Sequence, residues 1–252
     1  MSTATAHAFQ VCVLDDYANT VARRFANWCV GTSQVHGRVR VALTGGRTAR
    51  EIFTALGDPG ICGHVDWRAV EFYQGDERPV DPSSPQSNWG MVESAFLNPA
   101  GVPAANRHRM AGEARNLDNA AREYEQLLVG QLPGEGTGPP VFDLVFLGVG
   151  DDGHVASLFP GTAALEESRR FVVANPVPAI GMTRLTVTLP VINAARAVWI
   201  VSSGPRKAAI IRRAIEERDA GLPVVLVVPR AGPLVWLLDP AAAGQLSPHV
   251  HP

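Results

Sequence analysis

A histidine two residues after a carboxylate, set in a glycine-rich turn, is equipped to move protons, and this chain places one at the end of an apolar run. Residues 141–148 are rich in Val, Leu and Phe and read as a buried strand; Gly148, Gly150 and Gly153 then let the backbone turn sharply around Asp151, Asp152 and His154. An imidazole held there can take a proton from water near neutral pH and return it to a leaving group. Taken alone, a histidine in such a turn is more often a hydrogen-bonded structural residue. Two other turns share the layout. Thr44-Gly45-Gly46-Arg47-Thr48 follows a strand and opens a helix, so its backbone N–H groups and the two Thr hydroxyls can face an anion; an unliganded tight turn explains that segment equally well. Gly75-Asp76-Glu77-Arg78 follows a third strand and, on its own, would be a solvated charged turn.

Residues 148–153 also match G-x-G-x-x-G, the dinucleotide fingerprint. That motif works when its last glycine opens a long helix whose amino end holds a pyrophosphate. Here Pro160-Gly161 stops any helix after about two turns, and Asp151 and Asp152 would put negative charge where the pyrophosphate should lie. A nicotinamide enzyme is therefore disfavoured.

The elements that must carry these turns are legible from periodicity. Strands are expected at 9–14, 38–43, 70–74, 141–148, 171–174, 185–189, 197–202, 223–228 and 234–238. Helices are expected at 15–30, capped by Asp15-Asp16, and at 49–56, 87–97, 117–129 and 205–218, the last with Arg212/Glu216 and Arg213/Glu217 paired on an exposed face. Strands alternating with helices predict an α/β fold with a mainly parallel central sheet covered on both faces, and such sheets bind ligands at the carboxyl ends of their strands. The 252 residues suit a single domain over 1–252, with 1–8 and 241–252 as loose tails in which His249 and His251 play no part.

With 22 basic and 24 acidic residues, and a pI near 6.4, the chain has no overall positive field to hold nucleic acid. Cys12, Cys29 and Cys62 are odd in number, lack metal-ligand spacing and read as reduced thiols. No apolar run approaches the roughly 18 residues of a membrane span, and the amino terminus lacks a secretory pattern, so a cytoplasmic location is expected. No feature sets an oligomeric state.

Thr44-Gly-Gly, Gly75-Asp-Glu-Arg78, Ser87-Asn88, Gly148-x-Gly-x-Asp-Gly-His-x-Ala-Ser-Leu-Phe-Pro160, Arg184-Leu-Thr186 and Lys207 stand in an order that resembles the 6-phosphogluconolactonases, over roughly residues 10–240. The resemblance implies a Rossmann-like three-layer fold and hydrolysis of 6-phospho-D-glucono-1,5-lactone to 6-phosphogluconate, in the oxidative pentose phosphate pathway, with no metal and no cofactor. Arg47 and Ala49 depart from a serine and a proline frequent in the family, and Gln74 from a Trp. On this basis His154 is expected to deprotonate the attacking water and then protonate the ring oxygen. Asp152 or Asp76 would orient hydroxyls and favour the imidazolium. Arg78 would stabilise charge at the carbonyl or hold Asp76. The phosphate would be held by the Gly45 and Gly46 amides, Arg184 and Lys207, with Thr44, Arg47 and Asn88 also placed at the phosphate or the rest of the substrate. The glucosamine-6-phosphate deaminases share the fold but carry a catalytic Glu five residues after the His, where this chain has Phe159. A non-catalytic sugar-phosphate sensor would ordinarily need a DNA-binding module, and no segment is left for one.

Overall fold

The computed structural model describes residues 9–134, 136, 138–248 and 250. The expected tail 1–8 and the histidines at 249 and 251 lie outside the described residues.

The described residues form ten strands: β1 (Phe9–Val13), β2 (Val39–Leu43), β3 (Val70–Gln74), β4 (Asp76–Glu77), β5 (Arg107–His108), β6 (Leu144–Gly148), β7 (Val172–Val177), β8 (Met182–Val187), β9 (Val198–Ser202) and β10 (Leu234–Leu238). Seven of them form one sheet in the order β1-β10-β9-β6-β2-β3-β5, every neighbouring pair parallel. The expected parallel α/β fold is the observed one. The apolar runs that announced these strands follow from burial on both faces. Along β6, Leu144 and Phe146 pack with the helices Tyr17–His36 and Arg47–Leu56, while Val145 and Leu147 pack with Leu117–Gln131 on the opposite face. Phe146 meets Phe25 edge-on at 5.9 Å and Phe53 at 5.7 Å, which locks two helices to the middle strand.

Strand order decides where a ligand can sit. From β2 the chain moves outward to β3 and β5; from β6 it moves the other way to β9 and β10. The loops leaving β2 and β6 therefore diverge, opening a crevice between their carboxyl ends.

Several expectations need correction. The strands expected at 171–174 and 185–189 do not join the parallel sheet. They are β7 and β8, which with β4 form a separate antiparallel sheet, Asp76 opposite Thr186 and Glu77 opposite Leu185. The loop expected at 175–183 is largely strand, closed by the turn Pro178–Ile180 with Gly181 at φ 60°. Residues 223–228 are a short 3-10 turn, Pro223–Leu226, in place of a strand, because Val224 N and Val227 N are spent on Gly153 O and Val224 O. The first helix continues to His36, and Asp16, in left-handed conformation at φ 46°, makes no side-chain cap. Arg212 pairs with Glu217 and Arg213 with Asp219; Glu216 turns inward to accept the amide of Ser247. That bond helps anchor the segment after residue 240, where Ala242, Ala243 and Leu246 are buried, so it is no loose tail up to there.

Candidate active site

Four adjacent strands, β9, β6, β2 and β3, each end in a segment that reaches one cleft. After β2, Gly46 stands at the helix amino end with φ 96° and no side-chain cap, so the first N–H groups of Arg47–Leu56 are left for something else. Gly45 has no room for a side chain: a Cβ there would fall inside the Asn88 amide. After β6, a Cβ on Gly150 would overlap the His154 ring, and Ala156 is held at φ 49°, a left-handed conformation costly outside glycine. The glycines thus let one loop fold back against its own histidine, joined by Gly150 N to His154 O at 2.8 Å.

His154 Nδ1 lies 2.6 Å from Asp152 Oδ1, and Phe159 stacks on the imidazole with ring centres 4.1 Å apart. Burial works to raise the Asp152 carboxyl, but the hydrogen bond and charge of His154 outweigh it and hold the group below the ordinary aspartate range. A charged Asp152 accepts, so Nδ1 carries the proton and Nε2 is the basic nitrogen. Beside it, Lys207, just past β9, is bound to Asp151, whose carboxyl is drawn down chiefly by that hydrogen bond.

The small antiparallel sheet supplies the other side. Because β4 pairs with β8, Asp76 and Arg184 are brought together: Arg184 Nη2 donates to Asp76 Oδ2 at 3.0 Å, and Ser157 Oγ donates to the same oxygen at 2.7 Å. Both partners are buried, and Arg184 Nε is left without an acceptor. Arg78 makes no hydrogen bond to Asp76, although the two charges attract. It donates to the carbonyl of Gln86 and to Asn88 Oδ1, and burial pulls its guanidinium below the usual arginine range, with Arg184 adding to that pull and Asp76 opposing it.

Thr44, Gly45, Gly46, Arg47, Asp76, Arg78, Asn88, His154, Arg184 and Lys207 all line this cleft. Asp152 reaches it through the imidazole. Among the described residues, no group of three His, Cys, Asp or Glu is placed to hold a metal ion.

Four residues that shape the cleft carry no expected role in it. Glu77, 2% exposed, accepts five hydrogen bonds, from the Gln74 amide, the Ser87 hydroxyl and the backbone N–H groups of Arg78, Asn88 and Trp89. Gln74 also accepts the Met110 amide at 2.6 Å, which explains a polar residue at the buried end of β3. Ser157 is only one letter of the motif in sequence; its bond to Asp76 required the fold. Phe159 was noted as the absence of a Glu; its contact with the histidine required the fold.

Fold and cleft together define an open α/β protein whose cleft sets an uncapped helix amino end and the cations Arg78, Arg184 and Lys207 beside an imidazole–carboxylate pair. The chain belongs to the glucosamine-6-phosphate isomerase/6-phosphogluconolactonase family, whose family model matches residues 14–236. It is 36% identical over 235 residues to a 6-phosphogluconolactonase of Rattus norvegicus, covering 91% of this chain and 88% of that one. A 6-phosphogluconolactonase of Synechocystis is 36% identical over 214 residues, covering 84% and 86%. The solved 6-phosphogluconolactonase of Trypanosoma brucei superposes with a TM-score of 0.84 at 26% identity, covering 96% of this chain and all of that one.

Proposed function

We propose that this protein hydrolyses 6-phospho-D-glucono-1,5-lactone to 6-phosphogluconate, the lactonase step of the oxidative pentose phosphate pathway. The observation that carries this reading is the shared cleft: a His154–Asp152 pair at 2.6 Å opens onto the same space as an uncapped helix amino end, Arg184 and Lys207. A sugar phosphate presents matching chemistry, an electrophilic carbonyl at one end and a dianion at the other.

In this mechanism the phosphate lies on the Gly45–Gly46 turn between Arg184 and Lys207, displacing Asp151 from the lysine. His154 Nε2 takes a proton from a water as its oxygen attacks C1. Asp152 stabilises the imidazolium, whose proton then passes to the ring oxygen as the tetrahedral intermediate collapses. Arg78 faces the cleft as a cation for the developing oxyanion. A ring ester is reactive enough that this sequence needs neither a covalent nucleophile nor a metal. Phe159 supports hydrolysis over deamination: the deaminase Glu is replaced by an apolar ring already committed to the imidazole.

The test is hydrolysis of freshly generated 6-phosphogluconolactone, with the spontaneous rate subtracted, by the native chain and His154→Ala. Acceleration lost in the variant is expected. A folded native protein that gives no acceleration overturns the proposal.

A further inference from the structure

Next to the cleft, on the side of Arg184 away from His154, runs a groove whose cations exceed what one phosphate needs. It is lined by Arg47, Arg50, Arg78 and Arg184, with Met91 and Met182 as apolar wall, and no Asp or Glu lines it. Arg78 is satisfied only by neutral acceptors, the Gln86 carbonyl and the Asn88 amide oxygen. Arg184 has one carboxylate partner, Asp76, and a buried Nε with none. The Arg47 and Arg50 guanidinium groups make no hydrogen bond or ion pair among the described residues. The four guanidinium groups thus make one hydrogen bond to a carboxylate among them, Arg184 to Asp76; Glu77, whose charge also acts on Arg78, is already taken up by five hydrogen bonds of its own.

We propose that this groove is a second anion subsite, and that the protein binds a diphosphate, two directly linked phosphoryl groups, with one group in the cleft and the other between Arg47 and Arg50. The first placement rests on the phosphate position proposed above. Gly46, Arg47, Arg78, Asn88 and Arg184 line both spaces, so the two positions are adjacent, as a phosphoanhydride requires. Lys207 lines the cleft and not the groove, Arg50 the groove and not the cleft. A single phosphate on the Gly46 turn leaves the exposed Arg50 fork, which lines only the groove, without an anion, whereas a second phosphoryl group can accept from Arg47 and Arg50 together.

Calorimetric titration of the native chain with orthophosphate and with inorganic pyrophosphate, without divalent cations, tests this. Pyrophosphate is expected to bind about tenfold tighter than orthophosphate, the worth of one further charge-assisted contact. Arg50→Ala should remove most of that advantage, Arg50→Lys should restore part of it, and orthophosphate binding and lactone hydrolysis should not change. Equal affinity for the two anions, or an advantage untouched by Arg50→Ala, overturns the subsite. A parallel Lys207→Ala titration separates the two proposals: if orthophosphate binding ignores Lys207 while pyrophosphate still depends on Arg50, the cleft assignment fails and the groove stands.

Discussion

His154 Nδ1 and Asp152 Oδ1 are 2.6 Å apart although the two residues are separated by a single glycine. Gly153, at φ 81°, makes this possible by turning the backbone so that His154 N also donates to the same oxygen at 3.1 Å. Asp152 therefore sets both the loop and the tautomer. His154→Ala should lower kcat by about 10²- to 10⁴-fold. Asp152→Asn should lower it less and leave KM nearly unchanged, because Asn can hold the ring but cannot compensate the imidazolium. Steady-state kinetics of both variants checks this; equal losses would show that Asp152 does more than orient and stabilise.

Asp151 and Asp152 are both held below the ordinary aspartate range, Asp151 chiefly by its hydrogen bond to Lys207, Asp152 by His154 against an opposing burial effect. A depressed folded-state pKa contributes stability that is fully present above the unfolded value of about 3.9 and lost as pH falls through the folded one. Both side chains are about half exposed or more, so each contribution is under about 1 kcal/mol. The thermal midpoint of the native chain should fall more between about pH 5 and about pH 3 than that of Asp151→Asn. Parallel falls would show that the Lys207 pair adds nothing.

Glu77 to Gln exchanges one acceptor oxygen for a donor facing donors already in place. Either carboxylate oxygen accepts at least two bonds, so no orientation of the amide satisfies the site. Destabilisation of about 3 kcal/mol is expected. Because Arg78, Asn88 and Trp89 are all anchored there, substrate affinity should fall as well. Denaturant unfolding and KM measure the two effects.

Gly45→Ala should be harmful without unfolding the protein. The added methyl must push the Asn88 amide aside, and Asn88 holds Arg78 while its own amide donates to Asp76 O at 3.0 Å. A several-fold rise in KM with a small change in midpoint is expected; unchanged kinetics would show that this contact does not shape the cleft.

Arg184→Lys keeps the charge but loses the fork that lets one guanidinium hold Asp76 while facing the cleft. KM for the lactone should rise about tenfold, the cost of one charge-assisted bond. Comparison with an unphosphorylated lactone is decisive: if its KM rises equally, Arg184 serves the sugar or the fold, and not the phosphate.

Local patterns were sufficient for much of this protein. Strands buried on both faces, such as β6, β9 and β10, are nearly continuous apolar runs, and the glycines after β2 and β6 mark turns that neighbouring residues alone require. From these follow the parallel α/β class and the position of His154 at a strand end. Pairings between distant residues belong to the tertiary structure. Asp76 and Arg184 are 108 residues apart and meet only because β4 pairs with β8 in a small antiparallel sheet; periodicity marks parts of β7 and β8 but neither that pairing nor β4, which is two residues long. Glu77 reads as a surface charge in sequence, and only the packing of residues 87–89 over the end of β3 makes it a buried acceptor. The surplus of arginine over carboxylate in the groove likewise arises from arginines of three separate segments, brought together by strand order and helix packing.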